Sequence, residues 1–216
     1  MYLRDIMTTD VITISSYAHV IDAKRLMGEH KLQRIPVVDR GRLVGIITKK
    51  DLDKLSLPAQ TPRDLMEFSY SIASLYKIPV SQVMHRDVVT ASPDMTVEEA
   101  IALAQSKKVG ALVVTEDSEV VGIATTNDFF YKILNKVLGI GERGVRFEVM
   151  GGGEGKALEE ILSCLNKSGT EISSLLLYKA PGKAKKNVVL HLDTEDISAC
   201  VAEFKSKGYK VNIRKR

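Results

Sequence analysis

The chain has 216 residues, of which 44% are hydrophobic and 27% charged, and its formal net charge is +4. This length allows a sizeable buried core and more than one domain. No apolar run reaches the roughly 18 residues that a membrane-spanning helix needs, and the N-terminus lacks the apolar core of a signal peptide. We therefore expect a cytoplasmic protein without a membrane partner, in which Cys164 and Cys200 are separate buried thiols.

An internal repeat occupies the first part of the chain. A shift of 77 positions places Ile6–Leu52 on Val83–Phe129 without a gap, and 15 of the 47 pairs are identical. Eleven of the other 32 pairs, with proline counted as apolar, exchange one apolar residue for another. A repeat of this length is one supersecondary unit used twice, and we expect each copy to bury an apolar face against the other. Clefts between two copies come in pairs, which favours a binding module.

Each copy is predicted to fold as β-α-β-β-α. Short extended segments at residues 11–14 and 88–90 precede the first helices. In the second copy, Thr96–Glu99 is a capping box that begins the helix. Two β-branched runs around a polar turn then predict a hairpin, over Ile35–Ile47 and Ala111–Ala124. The last strand of each copy ends at Thr48 or Thr125, where another helix begins.

The repeated unit resembles the CBS domain. The matching segments are Asp10–Thr13 and Asp87–Thr90, the strand Arg34–Asp39, and the closing segments Gly45–Asp51 and Gly122–Asp128. The resemblance implies a paired module that binds an adenine nucleotide, such as AMP, ATP or S-adenosylmethionine, in two clefts. It also implies that the module associates as a homodimer.

The closing pattern T-x-x-D supplies suitable chemistry at each strand-to-helix junction. Free N–H groups at a helix start favour phosphate, a Thr hydroxyl can bond it, and an Asp carboxylate can accept ribose hydroxyls. The same pattern is also a capping box, and the two roles are compatible. The preceding strand can offer backbone groups and apolar surface to adenine. The predicted ligand-binding residues are Thr13, Arg34, Ile35, Pro36, Thr48, Lys49, Lys50 and Asp51 in the first copy, and Thr90, Ala111, Leu112, Thr125, Asn127 and Asp128 in the second.

The two predicted clefts differ in charge. Lys49–Lys50 lie in the first turn of a helix, where positive charge opposes the dipole unless an anion binds. The alternative is that both lysines point into water. The second copy has Thr126–Asn127 there, and Ala111 replaces Arg34. We expect the first cleft, with its three cations, to prefer ligands that carry more phosphates.

A helix is predicted between the copies, over residues 61–77, because Thr61 can cap it and Pro62 suits its first position. Its apolar stripe, Met66–Tyr76, predicts core packing or a dimer contact. The CBS pair is assigned to residues 1–138, with repeat one at 1–55 and repeat two at 78–138.

The C-terminal part, assigned to residues 144–216, is predicted as β-α-β-β-α-β, the ferredoxin-like order. Its predicted strands are Val145–Met150, Ile172–Tyr178, Asn187–Leu192 and Lys210–Ile213, and its helices are Lys156–Lys167 and Asp196–Lys207. This order resembles the ACT domain, which often binds amino acids, but the usual D-x-P-G is replaced by Gly151–Gly155. The predicted fold class is therefore α/β (α+β), a CBS pair followed by an ACT-like domain.

The histidines and cysteines show no metal-ligand or nucleophile–base spacing, so neither an enzyme nor a metal site is predicted. A CBS pair followed by an ACT-like domain resembles the acetoin-utilisation regulators (AcuB-like). This implies a sensor of adenine nucleotides, with no other cofactor, that signals to an unidentified regulated protein. One alternative is an amino-acid or small-metabolite sensor through the ACT-like domain. Another is a binder of nucleic acid or an acidic partner through the basic residues 179–216, although the absence of a stacking platform makes nucleic acid the weaker choice.

Overall fold

The computed structural model describes residues 1–55 and 77–214. It divides into two compact units, Met1–Phe129 and Phe130–Arg216. The predicted helix between the repeats, together with its stripe Met66–Tyr76, lies outside the described residues apart from Lys77.

The first unit contains a six-stranded sheet in the order β1-β2-β3-β6-β5-β4. Its strands are β1 Ile14–Ser15, β2 Arg34–Asp39, β3 Arg42–Thr48, β4 Thr90–Ala91, β5 Ala111–Glu116 and β6 Glu119–Thr125. Its helices are α1 Val20–Glu29, α2 Lys49–Leu55 and α3 Val97–Lys107, with 3-10 turns at Leu3–Asp5 and Val80–Gln82. Both predicted hairpins are confirmed, whereas the predicted first strands are shorter and lie further along the chain, at the sheet edges.

The two hairpins meet at the centre of the sheet, where β3 and β6 pair through Arg42 and Glu119. Each hairpin carries a register shift at the equivalent place, between Val37 and Val38 and between Val114 and Thr115. The sheet is therefore built from two matching halves, as the repeat predicts.

The leading segment of each copy crosses to the other copy. The Leu3 N–H donates to Met95 O (2.9 Å), and the Val80 N–H donates to Ala18 O (2.8 Å). Val80 and Met84 are consequently buried in one core with the apolar residues of the first copy. This confirms that the copies bury apolar faces against each other.

The predicted capping box of α3 is also confirmed. The Glu99 N–H donates to Thr96 Oγ1 (3.3 Å), and the Thr96 N–H donates to Glu99 Oε2 (3.1 Å). This exchange satisfies two of the N–H groups that a helix start leaves without an intrahelical partner.

After β6 the chain forms a π-helix, Asp128–Leu134, which continues as α4, Asn135–Leu138. The second unit then contains strands β7 Val145–Met150, β8 Ile172–Tyr178, β9 Asn187–Leu192 and β10 Lys210–Ile213, with helices α5 Gly155–Lys167 and α6 Ser198–Ser206. The strand order is β10-β7-β9-β8, and every pairing is antiparallel. The four predicted strands and the β-α-β-β-α-β order are confirmed, and each predicted helix differs by one or two residues at its ends.

The core of the second unit lies between one face of its sheet and the two helices α5 and α6, and Phe147 stacks on Phe204 at 6.1 Å. Cys164 and Cys200 are buried free thiols in this core, as predicted. Burial, assisted by a hydrogen bond to Glu203, raises the pKa of Cys164 to about 12. Since the thiolate is the reactive form, this favours an inert structural thiol.

Candidate functional site: two Thr–Asp junctions

The first junction, which we call the Thr48 site, lies where β3 passes into α2. Asp51 Oδ2 accepts hydrogen bonds from the Thr48 N–H (3.1 Å) and from Thr48 Oγ1 (2.5 Å). The Asp51 N–H is 3.4 Å from Thr48 Oγ1. The T-x-x-D pattern therefore forms a capping box here, which fixes both side chains at the start of the helix.

His85 approaches the same carboxylate from the second copy. Its Nε2 is 3.0 Å from Asp51 Oδ1, and Lys54 Nζ is 3.8 Å from that oxygen. Asp51 is only 9% exposed. Burial raises the pKa of Asp51, but hydrogen bonds from Thr48 and then His85 outweigh it, so the pKa lies below its ordinary value. At neutral pH Asp51 is a buried, paired carboxylate.

His85 was missing from the predicted site residues. It occupies the position directly after Met84, and its counterpart in the first copy, Thr8, follows Met7. The repeated methionine is the signal that could have revealed both residues. Since each leading segment crosses to the other copy, the residue after each methionine lies at the opposite copy's junction, next to Ile46 or Ile123.

The second junction, the Thr125 site, repeats the capping box. Asp128 Oδ2 accepts from the Thr125 N–H (2.8 Å) and Thr125 Oγ1 (2.7 Å). Thr8 Oγ1, from the first copy, is 3.4 Å from Asp128 Oδ1. Asp128 is 8% exposed. The two junctions thus share one cap but have different partners for the second carboxylate oxygen.

Arg34 lies at the Thr125 site. The site opens into a cavity of about 350 Å³ lined by Thr8, Lys31, Leu32, Gln33, Arg34, Gly110, Ile123, Thr125, Thr126, Asn127 and Asp128. The Arg34 guanidinium lies against Gly110, where an added Cβ would be 3.1 Å from a guanidinium nitrogen. Burial lowers the pKa of Arg34. Because Arg34 forms no ion pair with any described residue, its charge is available to an anion in this cavity.

Lys49 and Lys50 do not line this cavity. Lys49 lines an adjoining cavity of about 390 Å³ beside α1, which shares Lys31, Leu32 and Gln33 with it. Lys50 is exposed to solvent. The expectation that Arg34, Lys49 and Lys50 share one cleft is therefore corrected, because the Arg34 side chain crosses to the second copy's junction.

The other predicted site residues belong mainly to strands. Ile35 and Leu112 are fully buried, so only their backbone groups can meet a ligand. Pro36 and Ala111 are also buried. Two threonines lie at the edge strands, Thr13 directly before β1 and Thr90 at the start of β4.

Within residues 1–55 and 77–214, no group of three or more His, Cys, Asp or Glu side chains is placed to hold a metal ion. No helix in the same ranges is long and apolar enough to cross a membrane.

The chain belongs to the CBS domain family, whose model matches residues 3–57 and 80–135. It is 32% identical over 126 residues to the CBS domain-containing protein YhcV of Bacillus subtilis, covering 58% of this chain and 81% of YhcV. It is also 32% identical over 124 residues to the inosine-5'-monophosphate dehydrogenase of Korarchaeum cryptofilum. That match covers 57% of this chain but only 22% of the dehydrogenase.

Three solved structures are similar to this chain over about three fifths of its length. A putative acetoin utilization protein (AcuB) from Vibrio cholerae has a TM-score of 0.52 at 28% identity, covering 62% of this chain and 91% of that chain. CBSX2 in complex with AMP has a TM-score of 0.51 at 25% identity, with coverage of 62% and 96%. The CBS domain pair of MJ0100 with 5-methylthioadenosine and S-adenosyl-L-methionine has a TM-score of 0.50 at 26% identity, with coverage of 63% and 98%.

Proposed function

We propose that the CBS pair is a regulatory module that binds an adenosyl ligand, such as AMP, ATP or S-adenosylmethionine, at its Thr–Asp junctions. The observation that carries the proposal is the half-buried Arg34 guanidinium, which shares one cavity with Thr125 and Asp128 and has no ion pair among the described residues. Two similar CBS pairs are solved with adenosyl ligands, one with AMP and one with S-adenosylmethionine and 5-methylthioadenosine.

The Thr125 site is the better candidate for a phosphorylated ligand. Arg34 and Lys31 supply positive charge along one wall of its cavity, and Thr126 and Asn127 supply neutral polar groups. Charge-assisted hydrogen bonds to phosphate are roughly twice as strong as neutral ones. The Asp128 carboxylate is placed to accept ribose hydroxyls, which orients the nucleoside with its phosphate toward Arg34.

The Thr48 site has less room for a ribose. A carboxylate offers about four lone-pair sites, and at least three are used at each junction, so a ribose diol that donates two hydrogen bonds must displace the third partner. That partner is His85 at 3.0 Å on Asp51, but Thr8 Oγ1 at the longer distance of 3.4 Å on Asp128. We infer that this junction binds an adenosyl ligand more weakly than the Thr125 site does.

Regulation of a partner protein, without catalysis, is the role we infer for this chain. The dehydrogenase relative is an enzyme, but this chain matches only 22% of it. We further propose that residues 144–216 form an ACT-like domain, on the strength of its β10-β7-β9-β8 sheet. We also propose that the protein is a homodimer and that it is located in the cytoplasm. The alternatives of amino-acid sensing and nucleic-acid or acidic-partner binding through the C-terminal unit stay open predictions.

Calorimetric titration with AMP, ATP, S-adenosylmethionine and 5-methylthioadenosine tests the proposal, with GMP as the control for adenine. At 100 times the dissociation constant, binding should raise the free energy of unfolding by about 2.7 kcal/mol. Asp128→Ala should abolish this gain. Thr96→Ala removes a similar capping box on α3, far along the chain from either junction, and should leave affinity unchanged. The proposal fails if every adenosyl ligand binds no better than GMP.

A further inference from the structure

A row of four polar side chains crosses the face of the second unit's sheet that is turned away from helices α5 and α6. Arg146 on β7 is directly opposite His191 on β9, which is opposite Ser174 on β8. On the other side, the Arg214 N–H donates to Arg146 O (3.0 Å), directly after β10. Directly opposed residues share a sheet face and lie about 5 Å apart. Arg214, Arg146, His191 and Ser174 therefore form one line across all four strands.

The arginine pair in this row is only partly balanced by negative charge. Like charges at directly opposed positions destabilise a sheet, and neither Arg146 nor Arg214 forms an ion pair with a described residue. Glu148 lies on the same face and is attracted to Arg214. Its Oε1 accepts hydrogen bonds from the Tyr178 hydroxyl and from Asn187 Nδ2 (2.7 Å), and its Oε2 is 3.5 Å from Asn212 Nδ2. The two guanidinium groups thus share cavity walls with two carboxylates, Glu148 and Glu195, and form an ion pair with neither.

Unpaired polar atoms are concentrated at the same place. In the part of the chain that the structure describes, the buried side-chain nitrogen and oxygen atoms without a hydrogen-bond partner are Arg146 Nε and His191 Nδ1. His191 is 2% exposed, and its Nε2 is 2.7 Å from Arg143 O. Unpaired buried polar atoms are rare in folded proteins and call for an explanation. Both of these atoms belong to the row.

Two cavities meet at this row. Cavities of about 580 and 590 Å³ share Leu138, Arg146 and Arg214 in their walls. The first also contains His191, over which Gly139 packs so closely that a Cβ there would overlap Nδ1. The second has an apolar wall with Leu176 and Val189 and carries Glu148 and Tyr178. The arginine pair therefore faces a space that combines positive charge with apolar surface.

We propose that Arg146 and Arg214 bind the carboxylate group of a small, singly charged organic acid in the cavity that Leu176 and Val189 line. A guanidinium presents parallel N–H groups that match a carboxylate, and this pairing is strong and geometrically specific. The apolar wall accommodates a short hydrocarbon body. Glu148 repels further negative charge, which disfavours polyphosphates and nucleic acid at this face. The site goes beyond the nucleotide clefts and does not depend on them.

Titration of the full chain with sodium butyrate tests this site, followed by two-dimensional NMR of the arginine Nε–H groups. The buried Arg146 Nε–H should shift in a saturable manner, beyond the change caused by sodium chloride at equal ionic strength. Arg146→Gln and Arg214→Gln should each weaken butyrate binding at least tenfold. Lys210→Gln, on the same strand as Arg214 but outside both cavity walls, removes the same charge and should bind as the wild type does.

Three results would overturn the proposal. The first is a butyrate response no larger than that of sodium chloride. The second is inorganic phosphate binding as tightly as butyrate, which would show a general anion surface. The third is unchanged affinity in Arg214→Gln. This variant alters an exposed residue at the end of β10, so it decides the question even if Arg146→Gln loses its folded amide spectrum.

Discussion

The two Thr–Asp junctions of the CBS pair form the same capping box, but different residues surround their carboxylates. At the Thr48 site, His85 holds the second oxygen of Asp51 at 3.0 Å. At the Thr125 site, the shorter Thr8 lies 3.4 Å from Asp128, and Arg34 adds a positive charge to the cavity. The repeated residues build the cap, whereas the residues that differ between the copies set the charge and the free space at each junction.

This difference depends on the exchange of segments between the copies. Thr8 reaches Asp128 across 120 residues and His85 reaches Asp51 across 34. Each junction is therefore completed by the other copy, and a substitution in one copy changes the surroundings of the other copy's junction.

The largest expected difference concerns Gly45 and Gly122, the strand glycines that pack against Met84 and Met7 of the opposite copy. A Cβ at Gly45 would lie 2.5 Å from Met84 Sδ and 3.0 Å from the backbone His85 O, whereas the three atoms nearest to one at Gly122 would all belong to the Met7 side chain. A side chain can move aside more easily than a strand backbone. Gly45→Ala should therefore lower the free energy of unfolding by about 3 kcal/mol and Gly122→Ala by about 1 kcal/mol. If urea unfolding shows that both variants lose the same free energy of unfolding, the two glycines are equally closely packed against the opposite copy.

The second-largest effect should distinguish Arg34, which lines the cavity of the Thr125 site, from the exposed Lys50. Arg34→Ala should weaken AMP binding by about tenfold, since a hydrogen bond to a charged group contributes about 1.5 kcal/mol or more. Lys50→Ala removes an exposed charge and should change the affinity by less than about twofold. Calorimetric titration of both variants decides this. A larger loss in Lys50→Ala would return phosphate binding to the Thr48 site.

Acid should act on the Thr48 site through Asp51. The pKa of Asp51 is lowered in the folded protein, so its contribution to stability is complete above the unfolded value of about 3.9. That contribution is lost as the pH falls through the lower folded value. We expect a loss of about 1 kcal/mol, the size of one cap. Asp51→Asn should unfold with a flatter pH dependence below pH of about 4 than the wild type. Identical curves would contradict this.

The smallest expected effect comes from exchanging His85 and Thr8, the residues that contact the second oxygen of each carboxylate. His85→Thr gives the Thr48 site the residue that the Thr125 site has, and replaces the 3.0 Å contact on Asp51 with a longer one, such as the 3.4 Å contact of Thr8 with Asp128. Adenosine should bind there about threefold more tightly, or about 0.6 kcal/mol. Thr8→His is the reciprocal variant and should weaken the Thr125 site. If both changes leave affinity unaltered, His85 does not compete with the ribose.

Much of the fold could be predicted from local patterns. The hairpins, the capping box at Thr96 and the four strands of the second unit follow from β-branched runs, turns and capping residues that are neighbours in sequence. The first strands, β1 and β4, were misplaced because they are two-residue edge strands that pair with β2 and β5 over long sequence distances. Such pairing leaves little periodicity in the sequence.

The candidate sites could be predicted only in part. The T-x-x-D junctions were visible because each lies within four residues, and both caps are present in the structure. Arg34 was assigned to the wrong junction, since the direction of its side chain depends on how the copies pack. The row formed by Arg146, Ser174, His191 and Arg214 gave no sequence signal, because its members are 17 or more positions apart along the chain.

The sequence by itself determined that one β-α-β-β-α unit is used twice, that each unit ends in a capped helix, and that a β-α-β-β-α-β unit follows. These features depend on side chains close together in the chain, whose periodicity and capping chemistry are local. Only the tertiary structure decided that His85 pairs with Asp51, that Arg34 lies at the Thr125 site, and that two arginines oppose each other on one face of a sheet. Those contacts depend on strand register and on the crossing of segments, which many distant residues fix together.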